Sequence, residues 1–234
     1  DKMVSMRPDL RSYSRGSDLR EIHGDVKGAM EAMEMAVSAG YPGQEQTCWA
    51  LMTLGELYEN YGDPKMAEMQ YHIILEQRPE YPFAIAALAN LELEKGNDAE
   101  GEKLLKQACS IIPEVGFYEE LAGLYKKRGD MAAFEETKKM VLEMLADDVE
   151  HGHNMNLEYA NFYSELIGDT DKALEYAKKE YERRPENIDV NRVLAALYHK
   201  KNDAAKATEH LKKAARTNGA HPELMELKQE LAMR

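Results

Sequence analysis

The sequence predicts an all-α solenoid, a stack of about six helix–turn–helix repeats closed by a C-terminal capping helix. Three observations predict it. A Gly-Asp corner or its equivalent recurs as Gly24-Asp25, Gly62-Asp63, Gly96-Asn97, Gly129-Asp130, Gly168-Asp169 and Asn202-Asp203, at spacings of 38, 34, 33, 39 and 34 residues. Pro79, Pro113 and Pro185 each follow their corner glycine by 17 residues, a place for a helix to stop, since proline disfavours helical backbone in the residue before it. Between Cys48 and Tyr81, apolar residues keep helical spacing on both sides of the corner. There the small Gly55 and Ala67 mark where two backbones approach, and Leu54, Tyr58 and Tyr71 fill the space around them.

That stretch resembles the tetratricopeptide repeat, whose pattern W-x2-L-G-x2-Y…A-x3-F…P runs over about 34 residues. Leu51 stands at the opening large position, and Leu54-Gly55-Glu56-Leu57-Tyr58, Ala67, Tyr71 and Pro79 match the pattern in order. The corners fit the same plan. Glycine takes positive φ at a helix C-terminus without a Cβ clash, the next Asp or Asn can accept from the orphan N–H groups of the following helix, and Asn202 can adopt the left-handed conformation itself.

Residues 1–8 read as the end of a preceding repeat: Lys2-Met3-Val4 looks like a last helical turn and Pro8 its stop, so the chain is expected to open mid-repeat. Residues 9–46 are the first full repeat, with Ala29, Met33 and Ala36 in register, a poorly matching first helix (Tyr13, Leu19, Ile22) and an inserted turn, Gly40-Tyr41-Pro42-Gly43. The repeat 47–81 is the regular one described above. In 82–114, Leu88, Ala89, Leu105 and Ala108 hold the pattern, with Gly101 where the family prefers Ala. In 115–153, Tyr118, Leu121, Ala122 and Tyr125 fit, but Phe134 takes the usual small position and Asp147 to Asn154 is expected to be a polar loop. The repeat 154–187 carries Tyr159, Ala160, Tyr163 and Ala173, with one extra residue before Gly168. The repeat 188–221 is regular again (Leu194, Ala195, Tyr198, Ala207, Leu211, Ala214), and 222–234, with Leu224, Leu227 and Leu231, is the capping helix.

Composition narrows the function. The formal net charge of -13 disfavours general nucleic-acid binding. Charge is uneven, because residues 188–234 carry nine Lys and Arg against six Asp and Glu. No apolar run approaches the ~20 residues of a membrane span. Cys48 and Cys109 lie in different repeats and read as buried free thiols, which favours a reducing, cytoplasmic setting. Of the 14 methionines, Met30 and Met33 follow core spacing. Dinucleotide and phosphate-loop glycine motifs, His-Glu-x-x-His, G-x-S-x-G and C-x-x-C are all absent. Asp147, Asp148, Glu150, His151 and His153 could ligate Zn²⁺ or Ni²⁺, but they read more simply as a solvated polar loop. No metal, cofactor or catalytic residue is assigned.

The resemblance implies a right-handed superhelix whose concave groove is lined by the first helix of each repeat, at its positions i, i+3, i+7 and i+10. Carried onto this sequence, those positions are Trp49, Met52, Glu56 and Glu59, then Phe83, Ala86, Asn90 and Leu93. Further on they are Glu119, Gly123 and Lys126, then Leu157, Asn161 and Ser164, then Arg192, Ala196 and His199. The groove is expected to be apolar and acidic early and more basic late. Trp49 and Phe83 are candidate anchors of a bound peptide, or else packing between repeats. One branch of the family holds acidic chaperone tails with Lys and Asn on this stripe. Met52 and Glu56 stand there instead, which suits a ligand with apolar anchors and a basic end. The chain is therefore expected to be a non-catalytic scaffold for a protein or peptide partner, without nucleic acid or a membrane span, and a monomer or weak homo-oligomer. The alternative is a recruiting arm of a larger enzyme, such as a glycosyltransferase carrying such repeats.

Overall fold

The computed structural model describes residues 2–232. Asp1, where the chain opens, and Met233 and Arg234, expected in the cap, lie outside the described residues. Among the described residues every regular element is helical: α1 (Lys2–Met6), α2 (Leu10–Ile22), α3 (Val26–Ser38), α4 (Glu45–Asn60), α5 (Pro64–Gln77), α6 (Pro82–Glu94) and α7 (Asp98–Ile111). They continue as α8 (Val115–Arg128), α9 (Met131–Glu150), α10 (Asn156–Asn161), α11 (Thr170–Arg183), α12 (Ile188–Lys200), α13 (Ala204–Ala214) and α14 (Pro222–Ala232), and α10 runs on as a π-helical stretch, Phe162–Ile167. Neighbours pair across the corners, α2 with α3, α4 with α5, α6 with α7, α10 with α11 and α12 with α13. Pairs then stack through α3–α4, α5–α6 and α11–α12. Residues up to Phe117, with Asn218–Pro222, form one compact unit; Tyr118–Thr217, with the residues from Glu223 on, form a second.

The corners do what their residue types allow. All six turning residues are left-handed, from φ 58° at Asn202 to φ 95° at Gly62. At five of them the following N–H reaches back to the carbonyl five residues earlier, as in Asp63 to Tyr58 at 2.7 Å and Asp203 to Tyr198 at 2.9 Å. This is the 6→1 bond of a Schellman motif. Asp25, Asp63, Asp130, Asp169 and Asp203 then accept from the backbone N–H three residues on, at 3.0–3.2 Å. Asn97 does not cap; its Nδ2 donates to Glu92 at 2.7 Å, and Asp98 and Glu100 supply negative charge to the first turn of α7.

The remaining corner, at Gly168, differs by one residue. Asp169 N–H bonds Tyr163 across six positions, at 2.9 Å. The extra residue before Gly168 is taken up by the π-helical turn, so Tyr163 and the corner both keep their places. A single wide turn absorbs an insertion that would otherwise rotate every following side chain.

Two sequence expectations are corrected, and the poor match of α2 to the repeat pattern has a physical basis. Leu19 is 58% exposed, and α2 instead buries Ser12, Ser14 and Ser17. Ser17 Oγ donates to the Ala29 carbonyl at 2.7 Å and Arg20 to the Gly28 carbonyl at 2.9 Å, so a polar seam joins α2 to α3 where other repeats use aliphatic groups. Asp147–Glu150 is the last turn of α9 rather than loop. α9 reaches 20 residues because Phe134, Thr137, Val141 and Leu145 carry one continuous buried face. The His151 ring bonds the Asp147 carbonyl at 2.8 Å and is exposed. Cys48 is buried, but Cys109 is only half-buried.

The first unit's core is built around Met33, Leu51, Leu54, Leu57, Tyr71 and Ile74, with Met30 packed against it. Gly55 makes this core possible. A Cβ there would lie 2.3 Å from Tyr71 Cε1 and 2.8 Å from its hydroxyl, so the Tyr71 ring crosses α4 flat against bare backbone.

In the second unit the core holds a charge. Twelve residues after each corner stand Ala36, Ile74, Ala108, Val141 and Ala214, all buried, and in the remaining repeat Glu180, fully buried. Arg184 Nε donates to Glu180 Oε1 at 2.5 Å, Asn154 Nδ2 donates to Oε2, and Arg183 lies 3.6 Å away. Burial alone would raise this carboxyl, but the bonds from Asn154 and Arg184 outweigh it and hold it below the usual range. Nearby, His210 stacks on Tyr198 with ring centres 5.5 Å apart and contacts Asn191 Oδ1 through Nδ1 at 2.9 Å. Asn191 Nδ2 is already spent on the Pro185 and Asn187 carbonyls, so its oxygen is the acceptor and His210 carries its proton on Nδ1.

Candidate protein-binding surface

In the first unit the expected stripe lies on α4 and α6. Trp49 is 45% exposed and Phe83 40%. Both present apolar rings to solvent, which apolar burial disfavours unless something covers them. Phe83 is not isolated: its ring meets Phe117 edge-on at 5.6 Å and Tyr81 at 5.8 Å. Tyr81 is in turn fixed by donating to Glu45 at 2.9 Å. An aromatic row thus rises to the surface at Phe83. Met52, by contrast, is buried in the core, and Leu93 folds back towards α7, where the missing methyl of Gly101 leaves room for it.

Between the two aromatic residues the surface is acidic. Glu56 is exposed and Glu59 half-buried. Partial desolvation of its carboxyl raises Glu56 although the residue is exposed, and Glu21 on α2 adds to the rise. Burial pushes Glu59 up to about 7; the Tyr71 phenol opposes this, and Glu94 on α6 and Glu56 add to it. Tyr71 itself is fully buried, and its phenol is raised by burial and by the carboxylates of Glu59 and Glu56. The Tyr71 phenol faces the Glu59 carboxyl as its hydrogen-bond donor, and Asn90 Oδ1 is buried without a hydrogen bond. Asn90 follows Glu56 by one 34-residue period, on the same position of the next repeat.

The second unit presents a different surface. Glu119 and Asn161 border a cleft of about 200 Å³ with Glu120 and Glu165, and burial together with Glu165 raises the Glu120 carboxyl. Lys126 is turned away from any ligand, its Nζ donating to the Leu166 carbonyl at 2.5 Å beside the π-helical turn. A groove of about 500 Å³ runs between Asn161, Ser164, Arg192, Lys200 and the carboxylates of α14. Arg192 pairs with Glu223, and His199 Nε2 lies 3.5 Å from Glu230. The expected basic end is therefore a paired one, because α14 brings Glu223, Glu226 and Glu230 against it. Glu226 and Glu230 were legible as the same i, i+3, i+7 stripe carried one repeat further. Glu94 and the Tyr71 hydroxyl were not, since both stand at positions assigned to packing or left outside the stripe.

No family model matches the sequence, and no curated protein is similar to it. Solved structures are similar to it in fold. A tetratricopeptide repeat protein from Parabacteroides merdae is 16% identical over 95% of this chain and 84% of its own, with a TM-score of 0.59. A thermophilic TPR protein of Thermus thermophilus is 21% identical over 80% of this chain and 97% of its own, with a TM-score of 0.57. A chain of the APC/C hetero-tetramer Cut9–Hcn1 is 12% identical over 98% of this chain and 44% of its own, with a TM-score of 0.55. The chain has the fold of the tetratricopeptide-repeat solenoids.

Proposed function

We propose that the chain is a non-catalytic scaffold that holds a protein or peptide segment against the first-helix faces of its repeats, chiefly α4 and α6. The observation that carries this reading is the exposure of two aromatic rings, Trp49 and Phe83, beside a polar band of Glu56, Glu59 and Asn90 in which the buried Asn90 Oδ1 has no partner. Apolar anchors supply affinity in such surfaces, and polar groups left waiting for a partner supply selectivity. A chain of the same fold belongs to a hetero-tetramer in the Cut9–Hcn1 case, which agrees with assembly as the use of these repeats. Glu56, Glu59 and Asn90 would recognise the segment beside the anchors, and Met52 and Leu93 would shape the floor beneath it. In the second unit Glu119, Asn161, Arg192 and His199 form a separate, mixed-charge face, and Lys126 of α8 braces the π-helical turn beside it.

Affinity capture from native lysate tests the reading, comparing the chain with its Trp49→Ala, Phe83→Ala variant after circular dichroism shows equal helicity. A partner lost only from the variant is the expected result. A partner held equally by both moves the binding surface away from α4 and α6.

A further inference from the structure

We infer that the outer face of α2 is an open joint of the stack, which docks an amphipathic helix rich in Asp and Glu from a partner protein. This surface is separate from the α4–α6 face and does not depend on it. Five residues before each corner stands a large apolar residue: Leu19, Leu57, Leu91, Leu124 and Leu197, with Phe162 in the same place once the π-helical residue is counted. Leu57, Leu91, Leu124, Phe162 and Leu197 are 1–3% exposed, whereas Leu19 is 58% exposed. What differs is the helix laid against each one. α4, α6 and α12 pack on the second helix of the repeat before, which is α3, α5 and α11 in turn. Among the described residues α2 has the five-residue α1 in that place. It lies against α2 at Gly16, where Val4 Cγ2 is 3.8 Å from the position of a Cβ. Leu19, almost a turn further on, stays open to solvent.

Charge identifies the occupant. Arg11, Arg15, Leu19 and His23 follow one another at i+4 spacing along α2 and its C-cap, on one face, and all four are exposed. Among the described residues neither arginine is held in an ion pair. Asp18 feels the charge of Arg15, but burial still raises its carboxyl. His23 spends Nδ1 on the Leu19 carbonyl at 2.8 Å. The closed joints show how such groups are met. Glu34 of α3 accepts from the Tyr58 hydroxyl at 2.8 Å, Glu68 of α5 from Lys95 at 3.2 Å, and Asp171 of α11 from Lys201. Lys95 and Lys201 stand directly before their corners, as His23 does before Gly24. At each of these joints a second helix sets a carboxylate on the rim of the first helix that follows. A helix of that kind, seated on α2, covers Leu19 and brings its acids to Arg11, Arg15 and His23. Two copies of this chain paired symmetrically through the same face would instead set arginine against arginine.

The test is a displayed library of helical peptides about 18 residues long, above the length at which isolated helices are marginal. Each carries a fixed apolar stripe with the remaining positions random, and the library is selected on the full chain. Recovered peptides are then measured against three variants: Leu19→Glu; Arg11→Glu, Arg15→Glu; and Trp49→Ala, Phe83→Ala. Each variant is first checked for an unchanged helical spectrum, which is expected because all five side chains are exposed. Expected are peptides rich in Asp and Glu that bind about tenfold weaker to Leu19→Glu and to the arginine variant, and equally well to the Trp49, Phe83 variant. Peptides without an acidic preference, peptides held undiminished by the first two variants, or none recovered at all overturn the open joint. Peptides lost only from the Trp49, Phe83 variant belong to the α4–α6 face and overturn it as well. Light scattering that shows a dimeric wild type and a monomeric Leu19→Glu would seat a second copy here and overturn the partner assignment.

Discussion

Two carboxylates in this molecule show how position decides a charge's fate. Glu59 lies half-buried among other acids, and its titration is raised to about 7; its folded form holds a proton that its unfolded form, near 4.3, has already lost. Stability from this group is complete below about 4.3, falls as the pH rises between about 4.3 and 7, and is fully lost above 7. Melting curves should therefore show Glu59→Gln equal to wild type near pH 4 and more stable at pH 8. The gain should be about 1 kcal/mol after allowance for solvent screening. Glu180 is the opposite case. Its carboxyl is held low by Asn154 and Arg184, so its contribution is present above about 4.3 and lost as the pH falls. Urea unfolding at pH 7 should find Glu180→Gln less stable by about 1–3 kcal/mol, because the buried amide can accept at one atom only and sets its own N–H groups against the donors of Asn154 or Arg184. The deficit should shrink at pH 4. Neither behaviour is legible in the sequence. Both residues read as ordinary surface glutamates until the chain closes over them, and Glu180 stands where register alone expects an alanine or a valine.

At the scale of the element, most of the fold was legible, because the signals are local. A glycine that must take positive φ, an aspartate that caps three residues on and a proline that stops a helix each act within one turn. Their recurrence places the corners without tertiary information. Expectation failed where tertiary burial decides length and facing. Polar residues Asp147–Glu150 suggested a loop, yet the apolar face of Val141 and Leu145 carries α9 past them. The serines of α2 hid a packed seam. The extra residue before Gly168 was visible, though its conformation was not. Deleting Ser164 should turn the π-helical stretch into ordinary α-helix. Circular dichroism should show helicity kept and a melting temperature within a few degrees of wild type, because the wide turn exists to absorb that residue. A collapse in helicity would mean that the turn is a packing requirement instead.

At the scale of the molecule, the two units meet their surroundings differently. The stripe projected from the repeat register predicts which helices face a partner, but not which side chains are free to do so. Met52 goes to the core, Leu93 to Gly101 and Lys126 to a backbone carbonyl. Arg192 and His199 are claimed by α14. Ending the chain after Gly219 should release both and expose the apolar surface that Leu224 and Leu227 cover. Each buried leucine is worth roughly 2 kcal/mol. The truncated chain should melt several degrees lower and should show concentration-dependent self-association by light scattering.

The buried Glu180 also bears on how such an array can be lengthened or rearranged. Asn154, Asn156, Arg183 and Arg184, its partners, all lie within residues 154–187. The π-helical turn lies there as well. Duplicated whole, this segment carries a charge together with everything that neutralises it, and it can be transplanted without stranding a carboxylate. A crossover between Asn156 and Glu180 would separate the acid from Asn154 and Asn156 and leave it poorly solvated in an apolar slot. Recombination in this part of the chain is thus confined to the borders of the segment, and its inheritance is all or nothing.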